Sequence, residues 1–199
     1  MVNNMAKNET FLANVDEDKV QELMNDTNNN VEYFNKVATE TAIKYTEPLD
    51  KLMRKIYSGV VSKEATDAQL EKYYLELTNT IYFMGDKLEQ LNISGDMAKA
   101  SEKEVYNNAY LANQIKDSER KNKTTVAENQ AVAEQESQYE AVVSSIYDHA
   151  YKMVKFKIDA AKDMVNTLRK IISRRMQEQQ LASFGNSKIS NSSAFMEED

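Results

Sequence analysis

The chain has 199 residues, of which 4 are Gly and 1 is Pro, and its 25 basic and 32 acidic side chains give a net charge of −7. So few residues able to supply a positive or a fixed φ disfavour sandwiches, barrels and α/β folds with glycine-lined phosphate loops. With no Cys and a single His, disulfides, thiolate sites, zinc sites and di-iron helix bundles are all excluded. The expectation is an all-α protein without cofactor or metal and without enzymatic activity.

The polar, aperiodic stretch 1–15 is expected to be disordered, and it lacks the apolar core of a signal peptide. No apolar run approaches about 18 residues, so no transmembrane span is expected and the cytoplasm (of a host cell, if the protein is viral) is the expected location. A single helical domain is read over 16–182, beginning with N-terminal helices over 16–59. The first runs from Asp16 through Val20, Leu23 and Met24, weakens at Asn28-Asn29-Asn30, and resumes through Val31, Phe34, Val37, Ala38 and Tyr45. Thr46 then reads as an N-cap with Pro48 in the first turn, where a missing N–H costs nothing, and the segment closes at Ser58-Gly59.

A heptad helix follows over 66–93. Thr66-x-x-Gln69 is a capping box, and Leu70, Tyr74, Leu77, Ile81, Met84, Leu88 and Leu91 alternate steps of four and three along an a/d seam. Ser94-Gly95 is expected to end it, because Gly suits the left-handed position after a helix. A long broken helix is expected over 96–182. Its break falls near Ser118–Thr125, where charges crowd and Thr124, Thr125 and Val126 cluster, and a second capping box, Thr125-x-x-Glu128, marks the restart. From Ser183 onward a small, polar, acid-tipped tail over 183–199 is expected to be disordered. The whole reads as an elongated helical hairpin or coiled-coil-like bundle with long C-terminal helices, expected to be homo-oligomeric.

Most candidate chemistry fails on its residues. Asp26-Thr27-Asn28-Asn29-Asn30 opens like a calcium loop, but Val31 stands where the turn needs Gly and Val37 where a bidentate Glu belongs. Gly-rich phosphate loops, nucleophile elbows and H-E-x-x-H are absent. His149, between Asp148 and Ala150 and near Tyr147 and Tyr151, reads as a half-buried seam residue rather than a base. Met97, Met153, Met164 and Met176 read as core fillers.

Charge distribution is more informative than the sum. Residues 149–176 hold Lys152, Lys155, Lys157, Lys162, Arg169, Lys170, Arg174 and Arg175 against Asp159 and Asp163, a local +6. Val154, Ile158, Ala161, Val165, Leu168 and Ile172 form one apolar stripe on this segment, expected as an oligomer seam. Lys155, Lys162 and Arg169 recur every seven residues beside it and suit a row of phosphates. Tyr147, Tyr151 and Phe156 are candidates for stacking on unpaired bases, which favours single strands. The other reading of these cations is a coiled-coil flank paired with the acidic N-terminal half. A smaller basic cluster, Lys116, Arg120, Lys121 and Lys123, lies at the expected helix break.

The order of segments carries a resemblance. A Tyr-rich amphipathic helix (EKYYLELTNTIYFMGDKLEQL) precedes a helix rich in Tyr, Asn and Ala (SEKEVYNNAYLANQI), a charged break (KDSERKNKTTVAE) and a terminal helix ending TLRKIISRRMQE. Over roughly residues 70–182 this resembles the bacteriophage recombination-mediator family typified by UvsY. The resemblance implies a small oligomeric helical protein that binds single-stranded DNA and helps load a RecA-like recombinase onto strands covered by single-strand-binding protein. It loosely places DNA contacts at Lys116, Arg120, Lys121 and Lys123, and self-assembly in the helix spanning Lys152 to Arg175. The rival expectation is a phage structural, scaffold or assembly-chaperone coiled coil with no nucleic-acid role.

Overall fold

The computed structural model describes residue 18 and residues 30–118 and 124–193. Among them the fold is all-α: α1 spans Asn30–Val61, α2 Asp67–Ser118, α3 Val126–Glu136 and α4 Gln138–Ser193. The expected disordered stretch 1–15, and the first helix up to Asn29 apart from Asp18, lie outside the described residues. Contacts divide the chain into two compact units. Among the described residues, one comprises 30–47, 84–118 and 124–157, the other 48–83 and 158–193.

In the first unit α1 and α4 run in the same direction. Phe34 meets the His149 ring edge-on at 5.2 Å, Thr39 Oγ1 approaches Met153 Sδ at 4.0 Å, and Lys157 Nζ donates to Thr46 Oγ1 at 2.9 Å. Val37, Ala38 and Ala42 of α1, Met84 and Leu91 of α2, and Val143, Ile146, Tyr147, Ala150 and Val154 of α4 supply the buried apolar surface. Tyr147 is 1% exposed. Burial, with Tyr45 and Tyr139 nearby, pushes its hydroxyl up to about 12.

In the second unit α2 runs antiparallel to the α1 and α4 segments. Lys55 of α1 pairs with Glu76 and lies 5.6 Å from the centroid of the Tyr73 ring. At the start of α2, Arg175 Nη1 donates to the Ala65 carbonyl and to Asp67 Oδ1 at 2.8 and 2.9 Å, and Gln179 Nε2 donates to Asp67 Oδ2 at 2.7 Å. The Arg175 hydrogen bond holds the Asp67 carboxyl below its ordinary pKa. Leu49, Ile56, Leu70, Leu77, Ile158, Ala161 and Leu168 form the core of this unit.

Both capping boxes are present. Thr66 N–H donates to Gln69 Oε1 at 2.9 Å while Gln69 N–H donates to Thr66 Oγ1, and Thr125 and Glu128 make the same reciprocal pair. The heptad residues Leu70, Leu77, Met84 and Leu91 are all buried, and α3 starts at Val126 directly behind the Thr125 cap; residues 119–123 of the expected break lie outside the described residues.

Four helix boundaries differ from expectation. Pro48 lies inside α1 instead of opening a new helix. Ala42, Leu49 and Ile56, spaced by seven and each almost fully buried, hold one continuous stripe to the core and outweigh the single backbone bond that Pro forgoes. Gly59 does not close α1; a Cβ there would stand 3.1 Å from Tyr73 Oη, so the glycine admits a ring, and the helix ends at Val61. The turn after it is made by Lys63, whose φ of 57° does the work usually given to Gly.

Gly95 likewise does not stop α2. It is buried within the helix, its missing Cβ facing Tyr147 Cβ at 3.5 Å, and the expected helices 66–93 and 96 onward merge. The backbone of residues 183–193 continues α4 to Ser193 where a disordered tail was expected, because Ser, Asn and one Gly weaken a helix without breaking it as Pro does. Residues 194–199 lie outside the described set. An additional break, at the buried Ser137, separates α3 from α4 and has no Gly or Pro to announce it.

Candidate nucleic-acid interface

Charge is unevenly shared between the two units. Residues 30–47, 84–118 and 124–157 hold 9 basic and 14 acidic residues, a balance of −5, while residues 48–83 and 158–193 hold 11 and 8, a balance of +3. Attraction for a polyanion therefore concentrates in the second unit.

There α2 and α4 flank a cleft of about 310 Å³ lined by Glu71, Tyr74, Leu75, Arg169, Ile172 and Ser173. Arg169 Nη2 donates to Tyr74 Oη at 3.1 Å and its guanidinium carbon lies 5.9 Å from the Tyr74 ring centroid. The hydrogen bond to Tyr74 raises the guanidinium pKa further and orients the charge along the ring. One heptad from Leu75 along α2 stands Tyr82, 73% exposed, with the exposed Phe83 ring edge-on to it at 5.4 Å. One heptad before Arg169 on α4 stands Lys162. Because the helices are antiparallel, Tyr82 and Lys162 occupy the same end of the groove.

Further cations follow on α4. Lys162 and Arg174 are exposed and touch only acids of their own helix, Asp159 at 2.9 Å and Glu178 at 2.8 Å. Pairs of this kind hold weakly and exchange readily. Lys170 is exposed and forms no ion pair among the described residues. Arg175 is committed to Ala65 and Asp67 and serves the fold.

In the first unit Lys152 pairs with Asp148 at 2.6 Å, a bond that lowers the Asp148 pKa, and Lys157 is half-buried on Thr46. Lys155 is exposed without an ion pair among the described residues, beside Phe156 at 74% exposure. Tyr147, expected to stack on bases, is buried in the core, and Tyr151 is half-buried; only Phe156 of that trio is open. Of Lys116, Arg120, Lys121 and Lys123, only the backbone of Lys116 belongs to the described residues, in α2.

The apolar stripe expected to join subunits is instead covered within one chain. Val154, Ile158, Ala161 and Leu168 are at most 4% exposed, and Val165 and Ile172 are half-buried. Most of this stripe is therefore covered within one chain, leaving only part of Val165 and Ile172 accessible. His149 is exposed and edges Phe34. Met153 and Met164 are half-buried as fillers, whereas Met97 and Met176 face outward. Leu75 and Tyr82 were not singled out as an exposed pair from sequence; their seven-residue spacing, one position along from the Tyr74–Ile81 steps of the seam, is the signal that marks them.

Among the described residues no cluster of His, Asp and Glu could hold a metal ion, and no helix is long and apolar enough to cross a membrane. No family model matches the chain, and no curated protein or solved structure shows significant similarity to it.

Proposed function

We propose that this chain is a non-enzymatic protein that binds single-stranded DNA and serves recombination or repair by presenting the strand to a RecA-like recombinase, in the presence of single-strand-binding protein. The observation that carries the binding is the groove of the second unit, where Arg169, with Lys162 one heptad before it on α4, lies beside Tyr74 and Leu75 of α2, with Tyr82 one heptad further along α2. Lys162 and Arg169 would neutralise phosphates along the groove, Lys170 and Arg174 on the outer face of α4 would add to the attraction, and Tyr82 would offer a ring face to an unpaired base. Stacking of this kind contributes about 1–3 kcal/mol per base and is indifferent to sequence. A duplex keeps its bases stacked on one another and gains only the phosphate contacts, so single strands are preferred.

The recombination role rests on the resemblance of residues 70–182 to the mediator family. Homo-oligomer formation belongs to the same reading: several weak grooves acting on one strand would raise its effective concentration. Fluorescence anisotropy of labelled oligo-dT and of a duplex of equal length tests the binding. Tighter, salt-sensitive binding of oligo-dT is the expected result, with Tyr82→Ala weakening it roughly fivefold to a hundredfold. Absence of binding at low ionic strength refutes it and leaves the scaffold reading.

A further inference from the structure

We propose that the outer face of α2 in the first unit is a self-association surface, on which two copies of this chain pair antiparallel about a two-fold axis. α2 carries two seams there. On the inner one Leu91 and Ala109 are buried within the unit. Ile93 stands two residues beyond Leu91, about 200° further round the helix, and Leu111 stands in the same relation to Ala109. From Ile93 the positions Met97, Ala100, Glu104, Asn107 and Leu111 follow in steps of four and three, a second heptad seam opposite the first. All six are exposed, Ile93 at 49%, Met97 at 39% and Leu111 at 55%. A helix on the outside of one bundle needs a single apolar stripe, whereas one with stripes on opposite faces is fitted to lie between two layers. The chain itself covers only one of these stripes.

The pattern of the outer seam selects a second copy, in one orientation. In an antiparallel heptad pair the first seam position faces the last, so Ile93 meets the partner's Leu111, Met97 the partner's Asn107 and Ala100 the partner's Glu104. Large apolar side chains then close both ends, and the small Ala100 leaves room at the centre. Lys103 flanks the seam one residue before Glu104, so each carboxylate near the axis has an ammonium of the other copy beside it. Glu104 and Lys103 are exposed and form no ion pair among the described residues. A parallel pair would set Glu104 against Glu104 in one layer, and a charged group at a single seam position thereby fixes orientation and register. From Ile93 to Leu111 the chain has three acids and two bases, so little net repulsion opposes pairing. The inner seam already holds α2 helical, so pairing requires no helix nucleation and a seam this short suffices. The surface deepens the homo-oligomer of the proposed function and rests on that part of the reading, not on strand binding.

Sedimentation equilibrium of the full-length chain, without nucleic acid, tests the surface. Concentration-dependent association is expected, loosened roughly tenfold or more by Leu111→Gln, which removes an apolar contact from both ends of the paired seam. Glu104→Lys and Lys103→Glu are each expected to weaken it roughly tenfold, and the double variant K103E/E104K to restore it, because the joint exchange reinstates opposite charges across the axis. The sequence has no Cys, so cross-linking reads the orientation. Chains carrying Ile93→Cys mixed with chains carrying Leu111→Cys are expected to form a mixed disulfide, and Ile93→Cys chains alone to form none. All these positions are exposed, so thermal melts of the variants should match the parent. A monomer at every concentration, association indifferent to Leu111→Gln, a double variant as weak as the single ones, or a disulfide between two Ile93→Cys chains overturns the proposal. Any of these with oligo-dT still bound leaves strand binding standing, whereas loss of oligo-dT binding with association intact strikes the DNA reading alone.

Discussion

Replacing Lys162, Lys170 and Arg174 together by Gln tests the cationic surface of α4 most directly, because the number of exposed cations sets the size of the effect. With Arg169 they make four cations available to phosphates. Each phosphate neutralised on a single strand contributes about 0.7 to the slope of log affinity against log salt, so the unaltered protein should show a slope near −2.8. Raising salt from about 50 to about 200 mM should then weaken binding roughly 50-fold. The triple variant keeps only Arg169, for a slope of about −0.7 and a loss of roughly threefold over the same range. Folding should be almost untouched. The pairs given up, Lys162–Asp159 and Arg174–Glu178, are exposed and local, each contributing about 0.3–0.5 kcal/mol. Anisotropy titrations with oligo-dT at four or five salt concentrations, beside thermal melts by circular dichroism, measure both quantities. A variant that melts like the parent yet keeps its slope refutes the assignment of these cations to the strand.

Three further outcomes follow from packing and titration. Gly85→Ala should stabilise by about 0.5–1 kcal/mol, since nothing lies within 4 Å of the new methyl, whereas Gly59→Ala should gain much less because Tyr73 crowds it; urea titrations compare them. Leu77→Ala, at a position with no exposure, should cost about 2–5 kcal/mol in the same assay. Tyr147 has a raised pKa in the folded chain, so its contribution is complete below about pH 10, the ordinary value, and is lost as pH rises toward about 12; Tyr147→Phe should flatten the stability profile across that alkaline window.

The fold was largely legible because helices advertise themselves locally. Thr66, Gln69, Thr125 and Glu128 form caps from residues three apart, and Leu70, Leu77, Met84 and Leu91 place one face of α2 without reference to anything distant. Gly59, Gly95 and Pro48 were misleading for the opposite reason. Their meaning depends on Tyr73, Tyr147 and the buried stripe of α1, which the local sequence does not reveal. The site was legible only in part. A count of cations on α4 does not distinguish Arg175, spent on the start of α2, from Arg169, aimed into a cleft. Nor does it reveal that the apolar stripe between them is satisfied at home, because a heptad pattern is the same whether its partner lies in the same chain or another.

The bond between Arg169 and Tyr74 has a kinetic corollary. A long cationic side chain normally surrenders rotamer freedom when it grips a phosphate, and that loss offsets much of the attraction. Here the guanidinium is already oriented by a tyrosine before any strand arrives. Its capture of a phosphate should therefore be fast and carry little entropic opposition, and Tyr74→Leu should slow arrival at Arg169 while leaving its charge intact. The ring acts less as a wall of the groove than as a holster for the charge.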